Sequence, residues 1–565
     1  MNPQKTELIM TCLSYETLFD DYATIDITDF VKDIPCYAAL NLISNKQNNF
    51  YYCLSDVEGQ KNELYELRRS FYADYTVTNK LDNFIASQEN PYIIDNISTL
   101  YFFLLILQFA DKQNTSAAIT PEQKQKIYKA YLYCANLWLD VQQKNIEDLD
   151  LLDLNLKVDV PVTEFKFPAD FHSQLYKANE FFVYCQSDND FKTVSNWLIA
   201  DKGKNNFQEY LLDIFELFRH TIKNNILRKS SLPPATHWFL DMYAVDFAAV
   251  QDLWSNRNNG IRYLRDNFFV KLDDDNYLLL YPSFLIDKFY QGLVFDSWKS
   301  IEKRQGNGNA LADSFSDFTV LKSRLGQPFS EEHLFYTLMD KCFTSANLVK
   351  KKGSDLTGVE APPDYYLRDG SNIFIFECKD ILFNNNDRYS TDLKKVKKAI
   401  LDRICKDGDS NRKGAAQLLY TINKYINEDS LAAHDRKYST GDNIYPIVVT
   451  SNSVYDAYGV NMLVLVRYIE IVKDKYPSLA GKVKLPVIIN IDCFVRLMYD
   501  LHNGTKSFSQ LLDDYQKQYL NGQQRMMPSF YHYIRTLYHQ HQMTPAEHQY
   551  LFSSLFSSFG QMFQH

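Results

Sequence analysis

Apolar and polar positions change period along this chain, and the changes divide it. Between 365 and 376 the period is that of two short strands. Tyr365, Tyr366 and Leu367, then Ile373, Phe374, Ile375 and Phe376, are aromatic or branched, and Asp369-Gly370-Ser371-Asn372 between them is turn chemistry. Further apolar runs predict strands over 444–450 and 485–491. Around them the period is helical. The segment 392–404 keeps Leu393, Val396, Ile400 and Ile404 on one side, another helix follows from about 411, and a long one runs from about 454 to 475. A helix over 329–343 takes Ser330 as its N-cap. Earlier in the chain, Thr120, Pro121 and Gln123 open a helix to 143, a second helix spans about 208–227, and the apolar run 100–107 reads as a buried helix. Leu154, Leu156, Val158, Val160 and Val162 alternate with the period of a strand. The tail is helical, and Thr544-Pro545-Ala546-Glu547 opens its last helix as a capping box.

A chain of 565 residues is too long for one ordinary core. The pattern divides it into a mainly helical region over 1–320, an α/β core over 321–500 with a mixed sheet flanked by helices, and a helical extension over 501–565. Gly306-Asn307-Gly308 is the candidate linker. Hydrophobic residues make up 45% and charged residues 23%, a globular balance. Nine cysteines lie scattered without a Cys-x-x-Cys pair, which excludes a zinc module or disulfide framework and fits a reducing, cytoplasmic setting. The first residues lack the layout of a secretory signal, and no apolar run approaches the roughly 20 residues a bilayer requires. The first 320 residues contain neither a phosphate-cradling glycine loop nor a serine–histidine pattern.

The hairpin carries the chemistry. With Gly370-Ser371 as its two-residue loop, Asp364 stands directly opposite Glu377. With Asp369-Gly370 as the turn, the two are diagonal but still on one face. Lys379 is two residues beyond Glu377 and shares that face. Opposed side chains about 5 Å apart at Cβ suit two carboxylates sharing a divalent cation. Glu-x-Lys alone is a weak signal, since Glu122-Gln123-Lys124 and Glu164-Phe165-Lys166 also match. Glu377 alone comes with Pro363-Asp364 one hairpin upstream.

In Pro363-Asp364 and Glu377-Cys378-Lys379 the chain resembles the PD-(D/E)XK nuclease superfamily over about 325–500. The resemblance implies a restriction-endonuclease-like core in which Asp364, Glu377 and the carbonyl of Cys378 hold one or two Mg²⁺, with Mn²⁺ as a substitute, while Lys379 orients water and stabilises charge on the phosphate. A glutamate from the first helix often completes the site of that family. Glu332 is favoured here by the apolar residues that follow it, with Glu331 as the alternative. Some branches carry a glutamine and a tyrosine four residues apart on a later helix. Here Gln417 is followed by Tyr420 at three and Thr421 at four.

A net charge of −10 excludes indiscriminate nucleic-acid binding over the whole surface. Between 387 and 413, however, nine Lys or Arg face five Asp, which nominates Lys394, Lys397, Lys398 and Lys413, with Gln417, as nucleic-acid contacts. The implied function is a Mg²⁺-dependent endonuclease acting on DNA, of a restriction or antiviral-defence kind, with the helical first region binding a partner protein or a second copy. The alternatives are a nuclease-like binding or scaffold protein without chemistry, and an RNA-directed enzyme. His532, His539, His541 and His548 read as exposed helical positions rather than a metal cluster.

Overall fold

The structure is a computed structural model that describes residues 11–50, 56–114, 118–143, 149–166, 170–221, 224–408, 411–521, 526–538 and 543–552. It is mainly helical, with sheets of five, three and two strands among the described residues. No helix among them is long and apolar enough to cross a membrane. The chain forms two compact units. One comprises Met1–Lys144, Phe165–Gln174 and Ile199–Leu293, and the other Asn145–Glu164, Leu175–Leu198 and Val294–His565. The division falls at 293, short of the expected linker and of residue 320. The second unit also takes in two earlier stretches and the tail, where the sequence predicts three consecutive domains. Gly306 and Gly308 have φ of +72° and +74°, and the Gly306 amide donates to Asp313 at 2.8 Å, so this stretch is a bound turn.

The first unit is built around the helix Asn96–Phe109, of which residues 96–107 are all buried. Asp95 caps it by accepting the Ser98 amide at 2.8 Å. Pro121–Gln143 opens with the expected reciprocal cap: the Gln123 amide donates to Thr120 Oγ1 at 3.2 Å and the Thr120 amide to Gln123 Oε1 at 3.0 Å. The helix expected to reach 227 ends at Thr221, and Leu227 instead lies in the strand Ile226–Arg228, paired antiparallel with Asn276–Leu279. Asn224 interrupts the helical period there by accepting the Ile226 amide at 3.0 Å.

In the second unit, α1 (Leu151–Asp159) is a helix where alternation predicted a strand. Asp150 accepts the Asp153 amide at 2.8 Å and starts the helix. Leu152, Leu156 and Val160 recur at intervals of four, and this row packs into the core. Next comes one helical run: α2 (Phe318–Leu325), a π-helical stretch (Gly326–Phe335) and α3 (Tyr336–Cys342). Asp317 caps it, accepting the Thr319 amide at 2.7 Å, so Ser330 lies inside the helix rather than at its start.

The five-stranded sheet contains β1 (Val349–Lys352), β2 (Tyr365–Asp369), β3 (Asn372–Lys379), β4 (Asn443–Thr450) and β5 (Val487–Asn490), ordered β5-β4-β3-β2-β1. The first three are antiparallel neighbours, and β4 and β5 run parallel to β3. Between β3 and β4 come α4 (Leu393–Ile404) and α5 (Ala415–Glu428), and between β4 and β5 comes α6 (Val460–Lys475). Asp392 caps α4, accepting the Lys394 amide at 2.9 Å. The helix expected from 454 is a short 3₁₀ turn, then Gly459 at φ +87°, then α6. Glycine suits 459 because φ is +87° there, and a Cβ would also crowd Leu152 and Leu156 at 3.1 Å.

One face of the sheet, with Tyr366, Ile373 and Ile375, is covered by α4, α5 and α6 through Ile400, Leu418, Ile422 and Val464. The other face, with Tyr365, Phe374 and Phe376, packs on the rings of Phe335, Phe494 and Phe508. These two apolar layers carry the sheet, and Glu377 at the hairpin mouth is buried between them and the strand ends.

Candidate active site

Pairing of Tyr365 with Phe376 and of Asp369 with Asn372 fixes Gly370-Ser371 as the hairpin loop, and Gly370 supplies the left-handed φ of +60° at its first position. One step further in this register, Asp364 stands opposite Glu377. The Cys378 amide donates to Asp364 Oδ2 at 2.6 Å and locks the carboxylate across the hairpin mouth. The ammonium of Lys379 lies against Oε1 of Glu377. Cys378 offers only main-chain groups here, since its side chain alternates to the opposite face.

The environment is dry. Glu377 is 1% exposed, and neither of its carboxylate oxygens has an aligned hydrogen-bond partner, although the Lys379 ammonium touches one of them. Burial, with the neighbouring charge of Asp364 and despite Lys379, pushes the Glu377 carboxyl up to about 8. Asp364 is also raised, by burial against the pull of Lys379 and its amide hydrogen bond. Burial lowers the Lys379 ammonium, but the carboxylates of Glu377 and Asp364 outweigh it and leave the group above its ordinary value. Lys379 therefore keeps its positive charge beside the two carboxyl groups.

Of the two helix glutamates it is Glu331 that turns toward this group. Burial, with the nearby Asp364 charge, pushes it to about 7, while Tyr336 donates a hydrogen bond to its Oε1 at 3.2 Å. Glu332, favoured from the sequence, is exposed and accepts from Gln327 at 3.2 Å. The π-helical stretch is the reason: its wider turn changes which side chain faces the sheet, so spacing judged on an α-helix selects the wrong neighbour. That stretch is tied to the end of β3 by Asp380, which accepts from Lys322 at 2.6 Å, from Ser330 at 2.5 Å and from Ser451. Burial pushes Asp380 up, but the Lys322 ammonium and the two hydroxyls hold it below the usual carboxylate range.

Among the described residues no group of three or more His, Cys, Asp or Glu side chains is gathered closely enough to hold a metal ion. The hairpin still fits a hard divalent cation in donor chemistry, because a buried carboxylate with no aligned hydrogen bond, one oxygen of which the Lys379 ammonium touches, sits across from a second carboxylate. The candidate ligands are Asp364 and Glu377, with the Cys378 carbonyl between the paired residues.

The candidate nucleic-acid contacts do not form one free surface. Lys397 pairs with Asp153 at 2.8 Å and Lys398 with Asp402 at 2.6 Å, whereas Lys394 is exposed and Lys413 and Gln417 are partly buried. Tyr420 donates to Glu360 at 2.5 Å, and Thr421 donates to the Ala361 carbonyl at 3.0 Å. His532 contacts the Tyr458 hydroxyl at 3.0 Å, while His539 and His541 lie outside the described residues. Asp380, Lys322 and Ser451 join the site without any local pattern in the sequence to mark them. Lys350, Lys351 and Lys352 do carry a signal, three like charges in a row just ahead of the hairpin, which the spacing of the acidic residues overshadows.

No protein-family model matches this chain, and neither a curated protein nor a solved structure matches it.

Proposed function

We propose that this protein is a metal-dependent nuclease that hydrolyses phosphodiester bonds in nucleic acid, with DNA as substrate and Mg²⁺ as cofactor. The observation that carries this reading is the hairpin mouth, where Asp364 opposes Glu377, Lys379 lies on the same face, and Glu377 keeps two buried oxygens without aligned hydrogen bonds. The element order lends further support. A helix precedes three antiparallel strands, helices follow, and a fourth strand runs parallel to the third. That is the order implied by the resemblance to the PD-(D/E)XK nucleases, and the match here is one of architecture.

Asp364 and Glu377 would hold the cation, with Glu331 beside them. A bound Mg²⁺ supplies Lewis-acid polarisation of the phosphate and a lowered pKa for a coordinated water. Lys379 stabilises negative charge on the phosphate, and its raised pKa suits that electrostatic role. The Cys378 amide keeps Asp364 aimed across the hairpin, and the aromatic layer of Tyr365, Phe376 and Phe335 keeps the strand ends rigid and excludes water from behind.

Incubation of plasmid or linear DNA with the protein and Mg²⁺ tests the assignment. Cleavage is expected from the parent, with loss of about 10²-fold or more for Asp364→Ala, Glu377→Ala and Lys379→Ala. Three variants that all cut like the parent would sink it. A second reading, a nuclease-like binding protein without chemistry, is favoured by the contact between Lys379 and Glu377 and by the absence of a three-ligand cluster among the described residues. Calorimetric titration with Mn²⁺ separates the two, since that reading expects no binding that Glu377→Ala removes. A defence or restriction role, with the first unit recognising a partner or signal, extends the proposal by analogy.

A further inference from the structure

We infer that the free edge of the five-stranded sheet, the strand β1, is the surface along which the nucleic-acid backbone lies, with Lys351 as its leading phosphate contact; this rests on the nuclease reading above. β1 reads Val349-Lys350-Lys351-Lys352 and is the last strand on its side, so its outer row of main-chain groups pairs with no strand among the described residues. Its register against β2 places Lys351 opposite Tyr366 and Lys352 opposite Tyr365. Through Tyr366 and Ile375, Lys351 shares the face that carries Asp364, Glu377 and Lys379. The next residue on that face is Gly353, whose amide donates to the Asp364 carbonyl at 2.9 Å. Lys351 is therefore one strand repeat, about 7 Å along β1, from the carboxylate end of the hairpin.

The other two lysines flank the same approach. Lys350 and Lys352 occupy the opposite face and share one partner, Asp340, at 3.3 and 3.7 Å. Lys351 makes no ion pair among the described residues, and Asp355 faces the strand's end by accepting the Lys352 main-chain amide at 2.9 Å. Lys352 stands 5.2 Å from the ring of Tyr336, and Tyr336 is the residue bonded to Glu331. A continuous line thus leads from the basic edge to the carboxylates, and within it Lys351 differs from Lys350 and Lys352, and from the paired Lys397 and Lys398 on α4, in making no ion pair among the described residues.

The chemistry selects the occupant. Three consecutive ammonium groups repel an added strand from another chain, which needs an edge with alternating, largely uncharged side chains. They suit a polymer bearing one negative charge at each step, and in a chain of net charge −10 such attraction is local.

The test uses the full chain with Ca²⁺ in place of Mg²⁺ and a fluorescently labelled DNA duplex, followed by anisotropy over a series of salt concentrations. The variants are Lys351→Gln, the triple change Lys350→Gln, Lys351→Gln and Lys352→Gln, and the triple change of the same residues to Arg. The triple Gln variant is expected to bind about tenfold or more weakly and to reduce the slope of log affinity against log salt by roughly two, with Lys351→Gln accounting for the largest single share. The Arg variant restores both. A triple Gln variant with parental affinity and slope overturns the inference while leaving the nuclease reading intact. The inference also falls if that variant self-associates while its monomer binds like the parent, because the lysines then only guard the edge. A parent that neither binds nor cuts nucleic acid overturns both.

Discussion

Glu377 combines burial, an ammonium on one oxygen and no aligned hydrogen bond on either, so its ionised form is costly. In the folded protein its carboxyl is raised to about 8, against an ordinary glutamic acid near 4.3 when unfolded. The folded state therefore binds more protons than the unfolded state between those values. The contribution to stability is full below the unfolded pKa and is lost as pH rises through the folded one. With EDTA present, Glu377→Gln is expected to be more stable than the parent at pH 8 by about 1 kcal/mol or more and to show a flatter Tm profile from pH 5 to 9. A parent profile as flat as that of the variant would contradict this. The helix glutamates allow an equally sharp comparison. Glu331→Gln is expected to lower cleavage by about 10²-fold, while Glu332→Gln, at an exposed position, stays within about twofold of the parent. Equal losses, or the reverse order, would return the role to Glu332.

At the level of elements, the π-helical stretch and the end of β3 act as one piece because Asp380 joins them through Lys322, Ser330 and Ser451. Side-chain exposures of 16% for Lys322 and 6% for Asp380 mean that removing the acid strands a half-desolvated ammonium and two hydroxyls. Asp380→Ala is expected to cost about 3 kcal/mol in a denaturant titration and to speed amide exchange at 326–335, the segment that carries Glu331. Unchanged exchange there would show that the tie does not hold the helix. A second buried network, in which Arg368 binds Asp435 and donates to Tyr425 at 2.6 Å, anchors the loop before β4 in the same manner. The sheet is therefore braced by charge pairs on both sides of its apolar layers.

At the scale of the whole molecule, the sheet-bearing unit is assembled from three separate stretches of chain. Leu156 and Val160 of α1 belong to the same core as Ile373 and Ile400, and Phe181 and Tyr184 pack edge-on and tilted against Phe329 at 5.4 and 5.5 Å between centroids. A fragment of residues 321–500 lacks Leu156, Val160, Phe181 and Tyr184. It is expected to show reduced helicity by circular dichroism and rapid proteolysis, and a cooperative melt equal to that of the full chain would disprove this. Within the full chain, Leu156→Ala is expected to cost about 2 to 4 kcal/mol.

The amino-acid sequence by itself determined the elements whose signals are local: a hairpin turning within 369–372, α4, the strand at 444–450, and the capping boxes at Thr120 and Thr544. It also placed Glu377 and Lys379 on one face by strand alternation, and Asp364 joined them because both hairpin registers the turn allowed keep it on that face. Only the tertiary structure decided the rest. Glu331, rather than Glu332, turns toward the carboxylates from a π-helical stretch whose register side-chain spacing does not encode. Leu154 to Val158 became helical because Leu152, Leu156 and Val160 had a core to enter, and the boundary moved to 293 because burial joins residues hundreds of positions apart. Long-range packing and shared hydrogen bonds leave no periodic trace in the sequence, so they become visible only once the chain has folded.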